Sequence, residues 1–282
     1  MEVLTLLFRT VLLRPYVFLF LAAFLFCAKR LLGWTRTLAF FLIGWVTAFV
    51  CEFSSTRNGV PFGSYYYTGS TVGQELYISN IPFMDSLSFT FLLYASYCVA
   101  LLLLLPSEPP RDPADGRLHL RFDLGARTSG RVFLLTTVLY ILIDVVIDPV
   151  ALRGDRWFLG HIYGYTYPGL YFGVPLENFI GWGVVGAIAL SGYFAVDRRL
   201  ASHVPSDSAP EVTRNVLLGC GLYYAVLLFN LAVTFWIGEG LLGAAGIVIF
   251  LPISALAVLR LFKRQDRSAR ERARLGAPGT GG

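Results

Sequence analysis

Seven apolar runs leave this chain few folds to choose from. Residues 11–28, 36–53, 83–105, 131–151, 176–196, 215–237 and 240–262 are each long enough, as helix, to cross roughly 30 Å of hydrocarbon. They are too long for strands or for the buried helices of a soluble domain. The predicted fold class is therefore an all-α integral membrane protein of about seven transmembrane helices. Residues 1–262 form one multi-pass domain and 263–282 a basic, disordered tail. Arg14 crowds the first run and shortens what it can span. Composition points the same way, since only 15% of residues are charged where soluble domains carry about a quarter.

Charge sets the expected orientation. With the N-terminus outside and seven spans, the inner segments hold Lys29, Arg30 and Arg36, then Arg111, Arg117, Arg121, Arg127 and Arg131, then Arg198, Arg199 and Arg214, and finally the seven basic residues from Arg260 to Arg274. The outer segments keep only Arg9, Arg14, Arg57, Arg153 and Arg156. That asymmetry follows the positive-inside rule and puts the C-terminus in the cytoplasm. The net charge of +5 is thus a topology signal, not a nucleic-acid signal. The basic tail is expected to lie on anionic lipid of the cell (plasma or inner) membrane. No cleavable signal is expected, because the first run ends in Lys29-Arg30 without a small-residue site. Cys27, Cys51, Cys98 and Cys220 lie far apart in or beside spans and read as inert core cysteines, with no metal-ligand spacing.

The two long outer loops are unusual. Residues 52–82 and 148–175 each begin with an acid at the end of a span and continue through a Gly/Tyr cluster. Each closes on Leu-Tyr and then an aliphatic-Pro pair: Leu76-Tyr77 with Ile81-Pro82, and Leu170-Tyr171 with Val174-Pro175. An acid follows within three residues, Asp85 or Glu177. This reads as a weak parallel repeat whose copies run the same way through the membrane, with a site at their interface.

Ionisable groups inside a span are costly and usually face a cavity. In the fourth run Tyr140, Asp144 and Asp148 recur every four residues and share one helix face. Two carboxyl groups one turn apart in low dielectric cannot both ionise cheaply, so at least one proton is expected to stay on the pair. A carboxyl that keeps its proton is what protonation of carbon requires. Glu52 closes the second run on the same side. Asp85, Glu177 and Asn178 open the spans after Pro82 and Pro175. Tyr65, Tyr67, Trp157, Tyr163, Tyr165, Tyr167 and Tyr171 supply ring faces, which stabilise a nearby cation by about 0.5–2 kcal/mol each without offering a nucleophile. Asn230 and Glu239 read as helix-packing residues, and His161 as a solvated loop histidine.

These residues resemble a known family. Glu52 followed by "STRNGVPFGSYYYT", and "DVVIDP" followed by Trp157 and "YPGLYFGVPLENFIGW", look like the carotenoid biosynthesis membrane proteins, which include hydratases acting on γ-carotene or bisanhydrobacterioruberin. The resemblance covers roughly residues 40–190. It implies addition of water across the terminal isopropylidene double bond of an acyclic carotenoid or related polyprenoid, giving a tertiary alcohol without a redox cofactor. Membrane lipid and the substrate are the implied partners, together with other enzymes of the pathway. Mapped onto the acids, Asp144 or Asp148 is the expected proton donor and Glu52 holds the water. One departure is "FMDSLSFTF" in the third run, with Asp85 where relatives tend to carry tryptophan.

Four other readings compete with it. A cyclase or isomerase would use the same cation but exclude water, and a non-catalytic polyprenoid binder would have no use for paired acids. An intramembrane prenyltransferase needs a second Asp-rich loop that is missing here. A retinal protein needs a lysine within the last span, but Lys29 and Lys263 both sit at span ends.

Overall fold

The computed structural model describes residues 2–108, 117–200 and 208–275, with backbone alone beyond residue 262. Nine helices are present among the described residues: α1 (Glu2–Leu13), α2 (Pro15–Leu32), α3 (Trp34–Asn58), α4 (Phe83–Leu104), α5 (Leu124–Arg127), α6 (Gly130–Ala151), α7 (Leu176–Arg199), α8 (Ala209–Trp236) and α9 (Gly240–Leu275). Seven stretches are long and apolar enough to cross a membrane, α5 and α6 counting as one. The basic tail expected from 263 lies where no side chain is described, and 276–282 lie outside the described residues.

The first run departs from expectation. It breaks at Arg14, and the spanning helix starts at Pro15, where a missing N–H costs nothing in a first helical turn. Residues 2–13 form a separate helix instead. Arg14 is buried at the joint, with Nη2 donating to Glu75 Oε1 at 2.9 Å and Nη1 to the Leu159 carbonyl at 2.5 Å. One guanidinium thus ties the α1–α2 joint to both long loops.

Helix α4 is apolar on every side, and such a helix belongs in the interior. It packs against α2, α3, α6 and α8, which surround it. Both long loops gather at one end of the bundle and contribute four short strands: β1 (Tyr65–Tyr67), β2 (Tyr77–Ile78), β3 (Ile81–Pro82) and β4 (Tyr163–Tyr165). Strands β2 and β3 make a local hairpin. Strands β1 and β4 come from different loops and pair antiparallel, with Tyr65 opposite Tyr165 and Tyr67 opposite Tyr163. At the other end of the bundle, Asp197 of α7 is fully buried. It accepts from Arg36 Nε at 2.7 Å and from Arg127 Nε and Nη2 at 2.8 and 2.9 Å, which locks α3, α5 and α7 together.

Candidate active site

Side chains alternate along a strand, so residues two apart share a face. The β1–β4 register therefore puts Tyr65, Tyr67, Tyr163 and Tyr165 on one face of a two-stranded ribbon. All four line a partly open cavity of about 130 Å³. Tyr66 and Gly164 take the other face. Tyr66 is half exposed, and a Cβ on Gly164 would come within 3.2 Å of its ring.

Beneath the ribbon lie the acids. Glu52 is 2% exposed and lies inside α3, which runs on to Asn58 instead of closing at Glu52. Its Oε1 is 2.7 Å from Tyr67 Oη, and its Oε2 accepts from Ser86 of α4. Asp85, in the first turn of α4, lies 2.6 Å from the same Tyr67 Oη. Across the cavity Asp148 of α6 accepts from Tyr163 Oη at 2.9 Å and from Tyr165 Oη at 2.6 Å. Asn178, in the first turn of α7, donates from Nδ2 to Asp148 and to Asp144, both at 2.7 Å. Among the described residues no ion pair joins an arginine or lysine to any of these four acids.

Tyr67, Tyr163 and Tyr165 hydrogen-bond the acids through their phenols. Burial, reinforced by Asp85 and Glu52, pushes the Tyr67 phenol well above its ordinary range. Burial, together with Asp148, does the same to Tyr163 and Tyr165.

The structure does not bring every predicted residue to the cavity. Glu52, Tyr65, Tyr67, Asp85, Asp148, Trp157, Tyr163, Tyr165 and Asn178 line it. Asp144 is fully buried one turn deeper and is not part of the wall. Its Oδ1 has no hydrogen-bond partner among the described residues, and it reaches the site through Asn178. Tyr140 is also buried behind the wall, its ring 4.8 Å from that of Trp182. Tyr167 is 78% exposed and Glu177 is exposed, packed outside against Gly63. Tyr171 lies off the cavity, its ring against Phe172 and Phe179. Tyr167 and Tyr171 come after Tyr165, where the ribbon's alternation ends, and Glu177 lies on the exposed face of α7. His161 is exposed. Glu239 pairs with Arg153 and Arg156, whereas Asn230 lines the cavity.

Sequence reasoning missed a second set of rings. Trp182 stacks on Phe89 at 4.4 Å, and Tyr16 stacks on Phe229 at 5.3 Å; all four line the cavity. The spacing of Trp182 four residues after Asn178, on one face of α7, was the available signal.

The fold and this site define a multi-pass membrane protein with a ring-lined, carboxyl-bearing pocket at one end of its bundle. Residues 2–253 match the profile of the carotenoid biosynthesis protein family, and the chain belongs to that family. Over 148 residues it is 30% identical to the bisanhydrobacterioruberin hydratase of Haloarcula japonica, a stretch covering 52% of this chain and 41% of that protein. The match thus spans well under half of the relative's length. No solved structure matches the chain.

Proposed function

We propose that this protein is a carotenoid hydratase, adding water to the terminal isopropylidene double bond of an acyclic carotenoid or related polyprenoid. The observation that carries the reading is a cavity with three unpaired acids, Glu52, Asp85 and Asp148, inside a wall of aromatic rings. Protonation of a trisubstituted alkene leaves a tertiary cation, and ring faces stabilise such a charge without trapping it. The volume of about 130 Å³ is close to that of an engineered apolar cavity of about 150 Å³ that takes up benzene. It suits one end of a polyene, with the remaining chain left in lipid. Asn178, Asn230 and the phenols offer water several hydrogen-bond partners, which favours hydration over a cyclase or isomerase fate for the cation.

Two similar halves support the same reading. Tyr67 and Tyr165 each bond an acid of the span before their own loop. Asp85 and Asn178 each stand three residues past the proline that opens a span. A two-fold axis along the membrane normal keeps helices parallel and reverses strands lying in the membrane plane, in keeping with the antiparallel β1–β4 pair. In this reading the pocket faces the outer side of the cell membrane, the C-terminus is cytoplasmic, and the substrate arrives from lipid or from neighbouring pathway enzymes.

Expression in a host that accumulates lycopene or γ-carotene, followed by mass analysis of the pigments, tests the proposal. A gain of one water per reacted end is expected. An isomer of unchanged mass would point to cyclisation, and unaltered pigment would leave a polyprenoid binder.

A further inference from the structure

In a buried cluster each hydrogen bond needs a hydrogen, and the count differs between the two sides of the pocket. On the α6–α7 side it closes for the carboxyl oxygens, Tyr163 sharing its one hydrogen between Asp148 Oδ1 at 2.9 Å and the Asp148 backbone carbonyl at 3.1 Å. Asp148 Oδ1 receives Tyr163, while Oδ2 receives Tyr165 and one N–H of Asn178, whose second N–H goes to Asp144. On the α3–α4 side it does not. Tyr67 Oη lies 2.7 Å from Glu52 Oε1 and 2.6 Å from Asp85 Oδ2, yet a phenol carries one hydrogen. An ionised carboxylate can only accept. The second contact therefore needs a hydrogen that sits on a carboxyl group, so the Glu52–Tyr67–Asp85 chain holds one acidic proton.

Position explains the asymmetry. Asp85 and Asn178 follow Pro82 and Pro175 at the same spacing, each in the first turn of its helix. An acid on one side and an amide on the other leaves the first cluster a proton to give and the second a carboxylate held by three donors, with acceptor capacity left on Oδ1. Within the first cluster Glu52 has both oxygens engaged, by Tyr67 and Ser86. Asp85 lines the cavity, and among the described residues only its Oδ2 is engaged, by Tyr67.

On the hydration reading above, we infer that Asp85 is the proton donor to substrate carbon, with Tyr67 and Glu52 as its proton-sharing support, and that Asp148 is the base for the adding water. The Asp85 O–H bond breaks and a C–H bond forms at the less substituted alkene carbon, leaving the tertiary cation. Water oxygen bonds to that cation and passes one proton to Asp148. The proton returns from Asp148 to Asp85 through cavity water, so water alone is consumed. This reverses the expectation that an α6 carboxyl donates and Glu52 holds the water. It also takes Asp144 out of direct contact and leaves it a positioning role through Asn178.

The test uses full-length protein in membranes of a host that accumulates an acyclic carotenoid, with hydrated pigment measured per inserted protein. Wild-type membranes that form no hydrate would remove the function itself, and this assignment with it. Given a hydrating wild type, Asp85→Asn is expected to lose about 100- to 10,000-fold, the usual worth of a general acid. Asp85→Glu, which restores an acid, is expected to recover at least tenfold over Asp85→Asn. Asp85→Ala is expected to regain activity with added formic acid, a response that a merely structural residue would not give. Wild-type rates in Asp85→Asn would overturn the inference. So would equal losses in Asp85→Asn and Asp85→Glu together with no formic acid rescue of Asp85→Ala.

Discussion

The bundle buries carboxyl groups at both ends but satisfies them in opposite ways. Asp197 sits between two guanidiniums, Arg36 and Arg127, at 2.7–2.9 Å. Asp148 sits among two phenols and an amide at 2.6–2.9 Å, with no ion pair among the described residues. A carboxylate held by two arginines is neutralised in place and has little reason to exchange a proton. One held only by neutral donors keeps its charge or its proton available. The first arrangement fastens helices together, and the second allows chemistry. The Arg14–Glu75 pair belongs to the fastening kind although it lies near the pocket, since it joins the α1–α2 joint to the loops.

The sharpest way to break this comparison is to neutralise one acid at each end. Asp148→Asn is expected to cut hydration about 100- to 10,000-fold while the protein inserts at near wild-type levels. Asp197→Asn is expected to do the reverse. It removes the charge between two buried arginines, a change that costs about 3–5 kcal/mol when a buried pair is broken. Thermal unfolding in detergent would register it, while activity per folded molecule stays close to wild type. Matching phenotypes at the two ends would dissolve the distinction.

A smaller effect sharpens the link between packing and pocket. Gly181 of α7 has no room for a methyl group, because a Cβ there would lie 2.3 Å from Phe62 Cδ1 and 2.8 Å from the Phe62 backbone. Phe62 lines the cavity. Gly181→Ala is expected to destabilise by about 1–3 kcal/mol as overpacking and to lower hydration by displacing Phe62. Unfolding and activity measured on one preparation would separate the two.

The smallest effect lies at the Asp197 end. Asp123 caps α5 by accepting from the Ala126 N–H at 2.8 Å. That bond, first, and Arg121 hold its carboxyl below the usual range. Asp123→Ala is expected to cost about 1 kcal/mol. The folded-state value is depressed, so this contribution is present above the ordinary carboxylate range and fades as pH falls through the lowered one. The wild type and variant should therefore converge in stability on acidification, with hydration at neutral pH untouched.

Hydropathy made the spans legible, because a bilayer demands length and apolarity and little else. It placed Glu52, Asp85 and Asp148 near one end of the bundle for the same reason. The ribbon was not legible. Strands three residues long carry almost no periodicity, and the pairing of Tyr65 with Tyr165 joins segments a hundred residues apart. Without that register, Tyr167 and Tyr171 look equivalent to Tyr163 and Tyr165, although only the latter two reach Asp148. Glu177 drew attention as the acid after Pro175, but helix phase turns its neighbour Asn178 inward. Glu75 had no role until Arg14 was seen beside it.

The central claim is that this pocket adds water to a carbon–carbon double bond, and the fate of water oxygen tests it most directly. Membranes containing the protein and an acyclic carotenoid would be incubated in water enriched in heavy oxygen, and the pigments weighed by mass spectrometry. The account predicts a tertiary alcohol whose oxygen carries the solvent label, formed without molecular oxygen and lost in Asp148→Asn. Pigment of unchanged mass, or an alcohol whose oxygen is unlabelled, would contradict it.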